Sequence, residues 1–141
     1  MALLKKKGII GLLFIFIMSA IGCGNNTPKD IDDAIYKKSV EMLAYTERCF
    51  NNNANADDEK YGIYSEEVLE ICKSRGKDIT DKERDAVQLI ALAGLKLLYY
   101  QTGNEQEALD YYNQHIKEAK ELLNIPIDRD SNEVWDKIKE K

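Results

Sequence analysis

The chain has 141 residues, 44% of them apolar and 32% charged, with 25 acidic against 20 basic side chains and a net charge of −5. That length supports one small core, and the acidic balance argues against nucleic acid as a partner and against electrostatic docking on anionic lipid. Nothing alternates with strand period between turn signals, and charged residues recur among apolar ones at helical spacing, so an all-α fold is expected.

The first 22 residues stand apart from the rest. Lys5, Lys6 and Lys7 precede an apolar run from Gly8 to Gly22 that ends in Ala20-Ile21-Gly22-Cys23. Charge, then apolar run, then small residues is the order of an export signal. About 15 apolar residues make a helix of about 22 Å, short of the roughly 30 Å hydrocarbon core, and no stop-transfer pattern follows. A cleaved leader over residues 1–22 is therefore expected, leaving 17 basic and 25 acidic side chains and a net charge of −8.

Ala20-Ile21-Gly22-Cys23 resembles the lipobox of bacterial lipoproteins, with Ala20 standing where that family usually has Leu. The resemblance implies a diacylglyceryl group on the Cys23 sulfur, cleavage just before Cys23, and an N-acyl chain such as palmitate on the new amino terminus. Two or three chains anchor stably where one is marginal. The expected location is the extracytoplasmic side of the cell membrane, with the covalent lipid in place of any cofactor. Ala20 and Gly22 also suit the ordinary signal peptidase, so plain secretion stands as an alternative, and a retained anchor helix as another. Residues 23–29 would form the tether, and at about 3.3 Å per residue they hold the domain, residues 30–141, within roughly 20 Å of the bilayer.

The spacing predicts a first helix capped by Asp30 or Asp33 and running to about Phe50, with Ile31, Ile35, Val40, Leu43 and Phe50 as its apolar stripe. Asn51 to Asp58 is turn chemistry and reads as the longest loop. A second helix is expected from about Ser65 to Ser74, carrying Val68, Leu69, Ile71 and Cys72 and stopping at Gly76. Thr80 and Glu83 form a capping-box pattern for a third helix, apolar nearly all round between Ala86 and Tyr100 and so expected at the centre of the bundle. Gly94 inside it costs about 1 kcal/mol relative to alanine and marks close approach of another element. Gly103 and Asn104 turn the chain into a fourth helix with Ala108, Leu109, Tyr112, Ile116, Ala119, Leu122 and Leu123 on one face, ending before Pro126. A short last helix, capped by Asp130 or Ser131, offers Val134, Trp135 and Ile138. The expected architecture is a small four- to five-helix bundle.

Tyr99, Tyr100, Gly103, Asn104, Ala108, Leu109, Tyr111 and Tyr112 resemble the hairpin of a tetratricopeptide repeat, over about one repeat of 34 residues. Lys96 and His115 depart from it, standing where a small residue and an alanine are usual. A lone repeat buries no face of its own, so the resemblance implies an antiparallel hairpin and no peptide-binding residues. Convergence on hairpin chemistry explains the same pattern. The layout from Arg48 to Leu123 is similar to the helical pilotin lipoproteins of type II secretion, which bind a secretin segment. That family has its second disulfide cysteine on the last helix, whereas here it is Cys72.

Chemistry beyond the lipid site is sparse. An extracytoplasmic compartment could oxidise Cys49 and Cys72 to a disulfide, or they could be two buried small apolar side chains; a plain antiparallel hairpin keeps them too far apart for a bond. His115 is the only histidine, and no HExxH pair, phosphate loop or nucleophile elbow is present, so no catalytic or metal-ligating residue is expected. Asn53, Asn55, Asp57 and Glu59 alternate as oxygen donors, but Lys60 stands where a calcium loop needs glycine. By helical spacing at least one of the pairs Tyr99/Tyr100 and Tyr111/Tyr112 points outward, and these form the candidate partner surface together with Trp135, which reads first as a core anchor and second as an exposed contact. The sequence thus points to a membrane-anchored, non-enzymatic protein-interaction lipoprotein. An immunity or exclusion lipoprotein that blocks a secretion or conjugation machine, and a pilotin-like secretin binder, are the alternatives.

Overall fold

The computed structural model describes residues 27–103 and 105–141. The leader and Cys23 lie outside the described residues, as does Asn104. The fold is an all-helical bundle of five helices: α1 Asp33–Asn51, α2 Asp58–Ser74, α3 Asp81–Gly103, α4 Gln106–Leu122 and α5 Ser131–Ile138. Helix α1 packs on α2, α3 and α5, while α3 packs on α1, α2 and α4. The two therefore share the centre, and α3 is not buried all round: Leu92 and Leu95 on its outer side are exposed.

Helix starts follow side-chain capping, with two shifts from the sequence reading. The α1 cap is Asp32, whose carboxylate accepts the Ala34 N–H at 2.9 Å, whereas Asp30 pairs with Lys82 and Asp33 is already helical. Helix α2 begins at Asp58, capped by Asp57, two turns before the expected start at Ser65. Ser65 lies inside the helix and donates its hydroxyl to the Tyr61 carbonyl. The early start has a tertiary cause: Tyr61 and Tyr64 are both buried against α1, and their burial outweighs the helix cost of Gly62 between them. The longest connection is consequently residues 123–130, not the Asn-rich loop.

Three helices end in the same way. After α1, α2 and α4 a residue with positive φ follows the C-cap, namely Asn53, Gly76 and Asn124. The next amide then reaches back five residues, from Ala54 to Cys49, Lys77 to Cys72 and Ile125 to Lys120. This is the Schellman motif, which satisfies carbonyls that the helix end leaves free. Glycine adopts the left-handed region without a Cβ penalty, and asparagine tolerates it.

The α1–α2 interface contains two buried hydroxyl pairs. Ser39 and Thr46 donate to the Ile35 and Met42 carbonyls of their own helix, so each must accept from the tyrosine 2.7 Å away, Tyr64 and Tyr61 respectively. Burial pushes both phenols well above their usual range. Every polar atom in these pairs is satisfied, as burial requires. Not every expected apolar position is inside: Leu69 is 57% exposed, and Phe50 lies at the rim, stacked on Tyr112 at 5.0 Å between centroids.

The capping box of α3 forms as expected, with the Glu83 N–H donating to Thr80 Oγ1 and the Thr80 N–H to Glu83 Oε2. The same carboxylate, fully buried, also accepts the Asp32 N–H at 2.8 Å and the Lys77 ammonium at 2.7 Å. Burial by itself would raise the Glu83 carboxyl, but the bonds from Lys77 and the Thr80 and Asp32 amides outweigh it and hold the group below its ordinary 4.5. The stabilisation this represents is complete above about pH 4.5 and is lost as pH falls through the lower folded-state value. Glu83→Ala should cost about 3 kcal/mol, because it strands Lys77 and two amides. Chemical denaturation at pH 7 and pH 3 checks this: the variant should lose less stability than wild type on acidification.

Gly94 meets the expectation of close approach. A methyl built on it would lie 2.6 Å from the Tyr61 hydroxyl, inside the ring's volume. Gly94→Ala should therefore destabilise by about 1–3 kcal/mol despite the better helix propensity of alanine, whereas Gly62→Ala, with nothing near its Cβ, should stabilise. Urea midpoints of the two variants would show the opposite signs.

Candidate functional site

The tyrosines sit at the hairpin of α3 and α4. Adjacent helical residues point about 100° apart, so neither sequence-adjacent pair faces outward together. Instead one tyrosine of each pair does: Tyr99 is 45% exposed and Tyr111 41%, while Tyr112 is buried and Tyr100 packs against the core. Lys96, one turn before Tyr99, bridges them. Its ammonium lies 4.9 Å from the Tyr111 centroid and 5.9 Å from that of Tyr99, a cation–π arrangement across the two helices. His115, one turn after Tyr111, stacks on that ring at 6.3 Å. Its Nδ1 is buried and has no hydrogen-bond partner among the described residues.

The position of this cluster in the bundle follows from α3. Thr80 at its start donates to the Asp30 carbonyl at 2.8 Å, which puts that end beside the tether. Thr27 and the last residue, Lys141, line one cleft at the same end. Tyr99 then lies about 28 Å along the helix at about 1.5 Å per residue. Exposed aromatic rings are thus gathered at the end of the domain remote from residue 27.

Trp135 is separated from the tyrosines. It is half-buried on α5, packed against the core, and lines a groove formed by α1, α2 and α5 to which α3 and α4 contribute nothing. The expected single partner surface is therefore two surfaces. The sequence reading passed over Lys96 and His115 as site residues; their departure from the repeat pattern was the signal that could have found them.

The remaining expectations concern thiols and metals. Cys49 and Cys72 are free and buried. The antiparallel register pairs Ser39 with Tyr64 and Thr46 with Tyr61, which sends Cys49 toward the loop end of α2 and Cys72 toward Asp32. The offset is about 20 Å of helix, far beyond the roughly 7 Å between Cα atoms that a disulfide spans. Of the two alternatives, this structure holds the two buried thiols. Burial pushes the Cys72 thiol up, which disfavours the reactive thiolate. Among the described residues no three His, Cys, Asp or Glu side chains are grouped to hold a metal ion. In the Asn-rich loop, Asp57 is occupied by capping the Glu59 N–H. Among the described residues no helix is long and apolar enough to cross a membrane.

No protein-family model, curated protein or solved structure matches this chain.

The thiol arrangement is directly testable in Cys23→Ala protein, where Cys49 and Cys72 are the remaining cysteines. Both should be slow toward a thiol reagent in buffer and react fully in denaturant, with intact mass showing no loss of two hydrogens under mild oxidant. Rapid reaction of the native protein would contradict the burial.

Proposed function

We propose that this chain is a bacterial lipoprotein, acylated at Cys23 and held on the extracytoplasmic side of the cell membrane, whose helical domain acts by binding a protein partner and not by catalysis. The observation that carries the reading is the Tyr99, Lys96 and Tyr111 cluster, exposed at the end of the bundle remote from residue 27. Aromatic side chains bring large contact area with few rotatable bonds, and tyrosine adds a hydrogen-bonding tip, which is why they concentrate at interfaces. A short tether at one end and rigid aromatics at the other suit a domain that presents a surface outward from the membrane.

The charge pattern supports the same reading. An acidic domain with a net charge of −8 after residue 22 gains little from anionic lipid, so the acyl chains must supply the membrane affinity. Comparison of wild type with Cys23→Ala by membrane fractionation and intact mass tests the anchor. The wild type should sediment with membranes and carry the added mass of a diacylglyceryl group, and the variant should be soluble and lack it. Identical soluble behaviour of both would replace the reading with a freely secreted helical protein. The surface is tested by placing a photocrosslinking side chain at Tyr99 or Tyr111 and, as control, at Leu69, which is exposed on α2; a discrete adduct is expected only from the first two.

A further inference from the structure

The groove beside Trp135 serves neither the tyrosine cluster nor a contact within the bundle. It encloses about 320 Å³, open to solvent, between α1, α2 and α5. Its apolar surface comes from Met42, Tyr45, Ile63, Tyr64 and Trp135, with Ile63 48% exposed at the rim. An isoleucine of that exposure beside a half-buried tryptophan leaves apolar area that the bundle itself does not cover.

Charges sort along this groove. At one end Lys38 lies 3.0 Å from Glu67 and 3.6 Å from Glu41, so the two acids of the groove already face a cation. The other two cations, Arg48 and Lys60, flank Tyr45, and among the described residues neither is paired with a carboxylate. Arg48 donates one N–H to the Asn132 side-chain oxygen at 3.0 Å, and among the described residues its other four donors have no hydrogen-bond partner. Lys60 lies 4.4 Å over the Tyr45 ring. Two cations without acidic partners thus stand together beside one apolar floor, on a domain whose excess charge is negative.

We propose that this groove binds a hydrophobic protein segment bearing a carboxylate. The apolar side chains of that segment cover Met42, Ile63 and Trp135, and its carboxylate is held by the Arg48 fork and the Lys60 ammonium. A planar guanidinium matches a carboxylate with two parallel hydrogen bonds, which gives direction as well as attraction. The groove and the tyrosine cluster share no residue, so the domain would hold two partners, or two parts of one, on different sides. The proposal does not depend on the anchor.

The test uses the only tryptophan in the chain, so that any change in indole emission comes from the groove. The purified full chain is titrated with a synthetic nine-residue peptide of alternating leucine and glutamate, and with the same peptide carrying glutamine in place of glutamate. The expected result is a saturable change in emission with the glutamate peptide and at least about tenfold weaker binding of the glutamine peptide, the loss that charge-assisted hydrogen bonds of this kind bring. Lys60→Glu combined with Arg48→Gln, both exposed positions, should weaken the glutamate peptide by a similar factor with an unchanged melting temperature. Lys117→Glu on α4 should leave the titration as it is. No saturable change, equal affinity for the two peptides, or an unaltered titration in the double variant would overturn the proposal. None of these results depends on whether Cys23→Ala releases the protein from membranes, so the two readings fail separately.

Discussion

The Glu83 carboxylate organises one end of this protein. It has no exposed surface, and placing a carboxylate there costs several kcal/mol unless its lone pairs are met. They are met by groups from three separate parts of the chain: the Asp32 amide at the start of α1, the Lys77 ammonium just past α2, and the Thr80 amide at the start of α3. One buried charge therefore ties together the ends of three helices. Asp32, whose amide is bound by Glu83, also caps α1 and pairs with Arg75 at 3.1 Å, so the α2 terminus is tied to the same point. At the end of the domain nearest residue 27 this charge cluster adds to the apolar packing of Ile31, Ile35 and Cys72.

A second buried charge does the same work on the other side of α1. Lys120 of α4 is 4% exposed, lies 2.5 Å from Glu47 of α1, and donates to the Arg129 carbonyl. Glu47 in turn accepts the Ser131 amide at the start of α5. The longest connection of the fold is thus held closed by a lysine from the helix before it. Between the two charge clusters the packing is apolar with paired hydroxyls, and Tyr61 lies on the bare backbone of Gly94. The ring's hydroxyl is held by Thr46, which limits its freedom to move aside for a side chain at that position.

The proposed partner surface lies where this framework leaves rings exposed. Lys96 and His115 break the repeat-like pattern of the α3–α4 hairpin, and they are the residues that join Tyr99 and Tyr111 into one cluster. The Lys96 ammonium lies between the two rings, 4.9 Å from the Tyr111 centroid and 5.9 Å from that of Tyr99, and leaves both partly exposed. The structure also divides what the sequence had grouped: Trp135 lines a groove with the cations of α1 and α2, to which Tyr99 and Tyr111 contribute nothing.

Local signals read well from the sequence because they are short-range physics. The Thr80 and Glu83 box, the stop at Gly76 and the apolar face of α4 depend on residues within one or two turns, and all are present in the structure; the glycine at 94 signalled a close approach, but only the fold identifies Tyr61 as what approaches. The all-helical class and the five segments followed from the same periodicity, and the leader proposed over residues 1–22 is read from sequence alone, since it lies outside the described residues. Tertiary structure decided the rest. It began α2 two turns early, because burying Tyr61 and Tyr64 outweighs a glycine and a polar run. It turned Glu83 from a cap into a hub, since the donors from Asp32 and Lys77 come from distant sequence. It left Cys49 and Cys72 apart through the register of two helices, and it selected Tyr99 and Tyr111 from four tyrosines. Sequence determined which segments are helical and how they are capped, because those energies are local; which side chains face one another or the solvent was decided by packing, because that depends on helices far apart in the chain.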